Sequence, residues 1–172
     1  MATDEALVVD LANGSEPALR ELLRRYERPL SSFIFRHTGG RDVEDLFQET
    51  WLRVVRQADR FDRSKRFSTW LFQIAINLCR DFHRRAPQEP RPVPDDTGSS
   101  RGLERAEAAI DANGLLANLP EAQREVVILR FYHDLSEDQV AELLECPKGT
   151  VKSRLHHALA RLTALSKERP DE

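Results

Sequence analysis

Apolar residues recur along this chain at intervals of three or four positions, the spacing that one face of an α-helix requires. The first long segment of this kind has apolar side chains at positions 18, 19, 22, 23, 26, 30, 33 and 34. Ser15 stands where a helix N-cap is expected, Pro17 fits the first turn, and Pro29 predicts a kink. Strand-like alternation of apolar and polar residues is not found. The pattern therefore predicts an all-α protein.

Two further helices are predicted in the first half of the chain, within the segment DVEDLFQETWLRVVRQADRF, residues 42–61, and over residues 67–85. On the second helix the rings of Phe67, Trp70 and Phe82 are expected to lie mainly in the core, whereas Phe61, which precedes it, is harder to assign to the core. The first half is thus predicted to be a bundle of three or four helices. Its two predicted buried faces consist of Val43, Leu46, Phe47, Val54, Val55 and Ala58, and of Phe67, Trp70, Leu71, Ile74, Leu78 and Phe82.

The last third of the chain predicts a helix-turn-helix. Pro120 opens one helix, and Ser136 and Gln139 have capping-box spacing at the start of the next. A turn of three or four residues containing Gly149 then leads to the final helix. On the final helix the predicted buried side is Val151, Leu155, Ala158, Leu159 and Leu162, and the opposite side is Thr150, Ser153, His156 and His157.

Between the two halves the helical periodicity stops. Residues 86–102, APQEPRPVPDDTGSSRG, hold four of the nine prolines, and the second half of this segment contains Gly and Ser. Proline fixes φ and removes an amide donor, so the first part should be extended and the second flexible. We therefore expect two small helical domains, residues 1–85 and 103–172, joined by a flexible proline-rich linker of residues 86–102.

Charge is distributed unevenly along the chain. The net charge of -3 argues against a protein that coats nucleic acid nonspecifically. However, residues 60–85 hold seven basic and two acidic side chains, and residues 148–161 hold four basic and no acidic ones. Residues 42–50 and 136–145 each hold four acidic side chains and no basic one. Local charge must therefore decide which surfaces bind which partners.

The two basic segments suit two different forms of nucleic acid. A second face of the helix over residues 67–85 carries amide and basic side chains, a combination that can hold single-stranded nucleic acid. The basic final helix of a helix-turn-helix suits the major groove of duplex DNA. The amide and basic face consists of Gln73, Asn77, Arg80 and Arg84.

Catalytic and metal-dependent functions find little support in the residues. The histidines are scattered, and HExxH, a glycine-rich phosphate loop and Gly-x-Ser-x-Gly are all missing from the sequence, so we expect no catalytic site and no cofactor. His133, Cys146 and His156 lack the spacing of metal ligands, so we expect no metal site. The two cysteines, Cys79 and Cys146, do not indicate a disulfide framework.

A cytoplasmic location is expected. The chain has no apolar run of roughly 20 residues that could span a bilayer, and its acidic start lacks the regions of a signal peptide. The cysteine content fits a reducing compartment. We therefore expect no insertion into a membrane.

Three segments together resemble the extracytoplasmic-function sigma factors of bacterial RNA polymerase. DVEDLFQETWLRVV is similar to conserved region 2.2, FDRSKRFSTWLFQIAINLCRDFHRR to regions 2.3 and 2.4, and LPEAQREVVILRFYHDLSEDQVAELLECPKGTVKSRLHHALARL to region 4. They occur in the family's order. The resemblance implies an alternative sigma factor that directs promoter-specific transcription initiation, with a region 2 helical bundle and a region 4 helix-turn-helix.

The resemblance also implies partners and contact residues. Core polymerase would be bound at its β′ clamp helices and β flap, duplex promoter DNA at the -35 element, and single-stranded DNA at the -10 element, where a loop captures a flipped base. An anti-sigma factor is a further implied partner. The implied polymerase-binding residues are Asp45, Gln48, Glu49 and Arg53. The -10 contacts are Asp62, Arg63, Ser64, Lys65, Arg66, Gln73, Asn77, Arg80 and Arg84. The -35 contacts are Lys148, Thr150, Lys152, Ser153, Arg154, His157 and Arg161.

Two other interpretations remain open on the residues alone. A helix-turn-helix regulator that binds duplex DNA without polymerase explains the final helix equally well, but it gives no role to a second basic face beside an acidic helix. An adaptor that binds only proteins would use the acidic helix and neither basic face. Binding to polymerase and dependence of transcription on the protein separate these interpretations.

Overall fold

The structure, a computed structural model, describes residues 1–85 and 114–167. Every regular element within these ranges is helical, which confirms the all-α prediction. The chain divides into two compact units, Met1–Gln88 and Glu89–Glu172. The predicted linker, residues 86–102, lies outside the described residues. Among the helices in the described ranges, none is both long and apolar enough to cross a bilayer.

Four helices build the first unit. They are α1 Asp4–Ala12, α2 Glu16–Thr38, α3 Val43–Gln57 and α4 Phe67–Arg85, and a 3₁₀ turn, Ala58–Arg60, follows α3.

Helix α2 begins and ends where local chemistry predicts. The Ser15 hydroxyl accepts a hydrogen bond from the backbone N–H of Ala18, and a proline occupies the first turn, as expected. Pro29 lies inside the helix, which continues to Thr38. Gly39 then takes the left-handed conformation, with φ of 68°, and ends the helix.

Helix α1 is absent from the sequence prediction. Its signals are local and short: the Thr3 hydroxyl caps the helix by accepting from Ala6, and Asp4 and Glu5 occupy the first turn. Leu7, Val8 and Leu11 are buried and anchor it to the bundle.

Aromatic rings form much of the core of the first unit. Phe33 and Phe67 are fully buried, and Phe33 meets Phe72 edge to face with ring centroids 5.5 Å apart. Phe61, whose place in the core the sequence leaves open, is also buried, and its ring centroid lies 5.2 Å from that of Trp70. Hence Phe61 helps to build the core. Trp70 and Phe82 are only half-buried.

The buried face of α3 differs from the predicted one. Thr50, Trp51 and Val54 are buried, whereas Val55 is 45% exposed, so the prediction of a buried Val55 was wrong. Neighbouring helical positions point about 100° apart, and the face that meets the bundle is centred near Val54. Leu52 is also exposed, at 48%.

In the second unit, residues 114–117 are helical, and three further helices follow. They are α5 Glu121–Val127, which continues as a π-helical segment Ile128–Tyr132, α6 Glu137–Leu144 and α7 Lys148–Lys167. Helix α7 packs against both α5 and α6.

The turn of the helix-turn-helix has the predicted length but lies earlier in the sequence than predicted, at residues 145–147. Glu145 ends α6 in the left-handed conformation, with φ of 53°, and α7 begins at Lys148. Gly149 therefore lies in the first turn of α7, and the prediction that it belongs to the connecting turn was wrong. Leu159, predicted to be buried, is 45% exposed. Val151, Leu155 and Ala158 are buried as expected.

The predicted capping box at the start of α6 is confirmed. The Ser136 hydroxyl accepts from the Gln139 backbone N–H at 3.2 Å, and the Gln139 side chain accepts from the Ser136 backbone N–H at 2.8 Å. Both bonds satisfy amides that a helix N-terminus leaves without partners.

Replacing Ser136 with Ala should destabilise the second unit. The change removes the hydroxyl acceptor and should lower the free energy of unfolding by about 1 kcal/mol, the usual cost of losing such a cap. Urea denaturation followed by circular dichroism measures this change. Ser166→Ala, which removes an exposed hydroxyl near the end of α7, is the control. Equal stability of Ser136→Ala and wild type would contradict a role for the cap.

Candidate functional site

The solvent-facing side of α3 combines acidic side chains with apolar ones. Asp45 and Gln48 are exposed, and the Glu49 carboxylate pairs with the Arg53 guanidinium at 3.0 Å. Leu52 follows Asp45 by seven positions, Gln48 by four and Glu49 by three, so it lies at the centre of this surface. We define the α3 face as Asp45, Gln48, Glu49, Leu52, Arg53 and Val55.

Leu52 and Val55 are the members of the α3 face that the sequence reasoning missed. Exposed leucine and valine are common singly, but here they adjoin one another and are bordered by charged side chains. An apolar centre with a polar rim is the usual anatomy of a protein-binding surface. The sequence did contain a signal for this surface, because Leu52 and Val55 are apolar residues that lie about 100° around the helix from residues of the buried face.

Residues 62–66 form an ordered turn before α4. One oxygen of the Asp62 carboxylate accepts from the Ser64 backbone N–H at 2.9 Å and from its hydroxyl at 2.7 Å. The Lys65 backbone N–H donates to the Asp62 carbonyl at 3.0 Å. The bonds from the Ser64 hydroxyl and then its N–H hold the pKa of Asp62 below its usual value. Asp62 thus braces the turn, while Arg63, Lys65 and Arg66 are exposed.

The amide and basic face of α4 follows this turn directly. Asn77 is exposed between two buried neighbours, Ile76 and Leu78. Arg84 is exposed and forms an ion pair with Asp81 one turn earlier. Gln73 and Arg80 are half-buried on the same face as Asn77. The structure therefore places Asn77 as the most accessible amide of the predicted -10 surface, at the middle of α4.

The outward side of α7 carries the remaining predicted contacts. The rings of His156 and His157 are both exposed and meet edge to face, with centroids 5.6 Å apart. Of the predicted -35 residues, Lys148, Lys152, Ser153, His157 and Arg161 are exposed, and Thr150 and Arg154 are half-buried.

Two of these lysines are paired with carboxylates at the start of α6. Lys148 Nζ lies 3.0 Å from the Asp138 carboxylate, and Lys152 Nζ lies 3.9 Å from that of Glu137. The hydrogen bond to Asp138 raises the pKa of Lys148 above its ordinary value. Lys148 therefore stays protonated at neutral pH. Each of the two lysines has an acidic neighbour with which an anionic ligand would compete.

Known families match the two units separately. The profile described as Sigma-70 region 2 matches residues 22–88, and the profile described as Sigma-70, region 4 matches residues 113–162. The ECF RNA polymerase sigma-E factor of Haemophilus influenzae is 29% identical over 172 residues, which cover 91% of each chain. The chain belongs to the extracytoplasmic-function sigma factors. It is therefore an alternative sigma factor for transcription initiation.

Further relatives of this sigma factor agree in length and fold. The ECF RNA polymerase sigma-E factor of Escherichia coli strain K12 is 29% identical, over 91% of this chain and 90% of the relative. The solved structure of CnrH in complex with the cytosolic domain of CnrY has a TM-score of 0.78 and 26% identity, over 97% of this chain and 99% of that chain. The sigma factor RpoE of Bartonella quintana, solved with the anti-sigma factor NepR, has a TM-score of 0.71 and 25% identity, over 86% of this chain and 96% of that chain.

The matched segments of this sigma factor contain every predicted contact residue. All predicted polymerase-binding and -10 residues fall within residues 22–88, and all predicted -35 residues fall within residues 113–162. Helix α1, Asp4–Ala12, precedes the first matched segment. Among the helices of the described residues, α1 is the one that lies outside both matched segments.

Proposed function

We propose that this sigma factor docks on core RNA polymerase through the α3 face, holds duplex -35 DNA with α7 and stabilises melted -10 DNA with residues 62–66 and α4. One observation carries this proposal: three exposed surfaces of different chemistry lie, in the family's order, on elements that match regions 2 and 4. It acts in the cytoplasm, where it meets polymerase and promoters, and needs no cofactor or catalytic group of its own.

Docking on polymerase combines apolar burial with charge complementarity. Leu52 and Val55 supply exposed apolar area, and covering such area at the centre of an interface is what most stabilises binding. Asp45 and Glu49 lie around this centre and favour a basic partner such as the β′ clamp helices. The acidic rim speeds and orients the encounter, while the apolar centre holds the complex together.

Promoter opening depends on the turn before α4. Extruding a base costs about a few kcal/mol in lost stacking and pairing, and a preformed pocket offsets part of this cost. The bonds from Ser64 to Asp62 order the turn before DNA arrives. Exposed Arg63, Lys65 and Arg66 neutralise phosphates, and Asn77 offers its amide to an exposed base edge.

Recognition of the -35 element requires α7 to exchange partners. Phosphates must displace Asp138 from Lys148 and Glu137 from Lys152. This exchange lowers the free energy gained from each phosphate contact and so weakens binding to duplex DNA of arbitrary sequence. Contacts that carry sequence information must then come from the other exposed side chains of α7, Ser153 and His157 among them.

An anti-sigma factor is a further proposed partner. CnrH and the Bartonella quintana sigma factor were each solved with a second protein, which in the latter case is an anti-sigma factor. The exposed Leu52 and Val55 would need cover in the absence of polymerase.

Arg154→Ala should weaken -35 binding and reduce its salt dependence. Loss of one phosphate contact should lower the slope of log affinity against log salt by about 0.9. Fluorescence anisotropy of labelled -35 duplex, titrated with holoenzyme at several salt concentrations, measures the slope. Lys167→Ala removes an exposed charge from the far end of the same helix and serves as the control. An unchanged slope for Arg154→Ala would remove Arg154 from the phosphate contacts.

Direct binding to core polymerase tests the proposal against its main rival. Labelled sigma factor mixed with purified core enzyme should elute as one stoichiometric complex in gel filtration. A protein that instead stays free, while binding a specific duplex by itself, would be a polymerase-independent helix-turn-helix regulator.

A further inference from the structure

Helix α1 reaches the entrance of the -10 surface from outside the matched region. The backbone N–H of Phe67, the first residue of α4, donates to Oε1 of Glu5 at 3.0 Å. These two residues are 62 positions apart in the sequence. Because a helix N-terminus leaves its first N–H groups without intrahelical partners, an acceptor there is stabilising, and a negative charge is favoured as well. Glu5 thus supplies α4 with a cap from a distant part of the chain.

The residue before α4 cannot cap the helix with its side chain. The residue that precedes Phe67 is Arg66. An arginine side chain has five donors and no acceptor, so it cannot accept a hydrogen bond from the first amides of the helix. Ser, Thr, Asp or Asn would normally occupy this position. Arg66 therefore gives the first turn of α4 no side-chain acceptor, and the acceptor that the Phe67 N–H finds lies on α1.

The position of Glu5 is itself fixed by its neighbours. Asp4 accepts from the Arg25 guanidinium at 2.6 Å and from the Tyr26 hydroxyl. Arg25 also donates to the Ala2 carbonyl at 3.0 Å. Together with the buried apolar side chains of α1, these bonds tie the first turn of α1 to α2. The Glu5 carboxylate is thus held by a rigid support at the start of α4.

The turn over residues 62–66 is held at both of its ends by α1. Helix α1 packs against the 3₁₀ turn Ala58–Arg60, which lies before this segment, and against α4, which follows it. The internal bonds of Asp62 order the turn, but they do not fix its orientation relative to Asn77 on α4. The contact from Glu5 to Phe67 joins the end of the turn to the bundle.

We propose that Glu5 is a positioning residue for promoter opening, which acts by capping α4 and so fixing residues 62–66 in the orientation that captures the -10 base. Because this role rests on the proposed function of that turn, both must be tested together. A prepositioned site loses less conformational freedom on binding and therefore holds its ligand more tightly. Glu5 does not itself contact DNA or polymerase in this role.

Two conservative variants separate the effect of the length of the Glu5 side chain from the effect of its charge. Glu5→Gln keeps the length of the side chain and its carbonyl acceptor, but loses the charge. Glu5→Asp keeps the charge and is one methylene shorter, so we expect its carboxylate to lose the hydrogen bond from Phe67. Asp10→Asn, at an exposed position of the same helix, is the control. None of these changes introduces a larger side chain.

Two quantities are measured for each variant. The first is the rate at which holoenzyme opens a promoter, monitored by the permanganate reactivity of the -10 thymines. The second is the affinity of the variant for core polymerase. Glu5→Asp should open the promoter about tenfold more slowly, which corresponds to loss of one cap. Glu5→Gln should stay within about threefold of wild type, since only the interaction of its charge with the helix dipole is lost. Core affinity should not change in either variant, and Asp10→Asn should behave as wild type.

Several results would overturn the role of Glu5. These are wild-type opening by Glu5→Asp, a slower reaction with Glu5→Gln than with Glu5→Asp, or an equal loss of opening and core binding, which marks a general structural defect. Asn77→Ala, assayed in parallel, distinguishes failure of the proposed role of Glu5 from failure of the proposed -10 surface. If Asn77→Ala impairs opening and Glu5→Asp does not, Glu5 has no positioning role. If neither variant impairs opening, the proposed -10 surface is itself wrong.

Discussion

Leu52→Asp should weaken binding of this sigma factor to core polymerase by about 100-fold or more. Central apolar residues of an interface often contribute over about 2 kcal/mol to binding. A carboxylate buried there without a partner adds a further cost. Leu52 is 48% exposed at the centre of the α3 face, so the substitution should leave the fold intact. Anisotropy of labelled sigma factor titrated with core enzyme measures the affinity, and circular dichroism checks the fold.

Leu159→Asp is a closely matched control for this experiment. Leu159 is 45% exposed, nearly the same as Leu52, but it lies on α7 in the other unit. Its replacement introduces the same charge and should leave core affinity unchanged. If Leu52→Asp bound core polymerase as tightly as Leu159→Asp, the α3 face would not be the docking surface.

Asn77→Ala should slow promoter opening by about 10- to 100-fold, the range expected when a side chain that reads an unstacked base loses about 1–3 kcal/mol of interaction. Asn77 is exposed on α4 and can be shortened without leaving a cavity. Polymerase affinity should remain unchanged, since the α3 face is untouched. Stopped-flow fluorescence of a 2-aminopurine placed in the -10 element measures opening.

Asn118→Ala is the control for Asn77→Ala. It makes the same chemical change at an exposed position of the second unit. Opening should proceed at the wild-type rate with this variant. Equal losses of opening and polymerase binding in Asn77→Ala would contradict a role in reading the -10 strand.

Most features that depend on residues close in sequence were predictable, although the local cap of α1 at Thr3 was missed. The N-cap at Ser15 and the capping box of Ser136 and Gln139 each involve side chains and amides three positions apart. Such bonds form wherever the right residues meet the start of a helix, whatever the rest of the chain does. The order of the helices and the all-α class follow from the same short-range signals.

Assignments of the buried face were less reliable. Hydrophobic periodicity finds apolar residues but does not distinguish those that pack in the core from those that await a partner. Val55 and Leu159 were both assigned to the core for this reason, and both are exposed. The error at Val55 has a physical reason, because an apolar side chain on a surface proposed to bind another protein gives the same periodic signal as one in the core.

Contacts between distant segments could not be predicted at all. The bond between Glu5 and Phe67 depends on how α1 packs on the bundle, and no local pattern encodes it. The left-handed conformation at the end of α6 falls on Glu145, although glycine is the residue that usually adopts it. The neighbouring Gly149 misled the prediction, because its presence in a helix is unusual.

Transcription in a purified system tests the central idea most directly. Core polymerase with and without this sigma factor would be incubated with DNA fragments, and the run-off transcripts would be sequenced to locate their starts. We expect transcripts from a defined set of promoters only when the sigma factor is present, and their loss with Leu52→Asp. Tight binding of the isolated protein to specific duplex sites, without any new transcript from core polymerase, would contradict the proposed function.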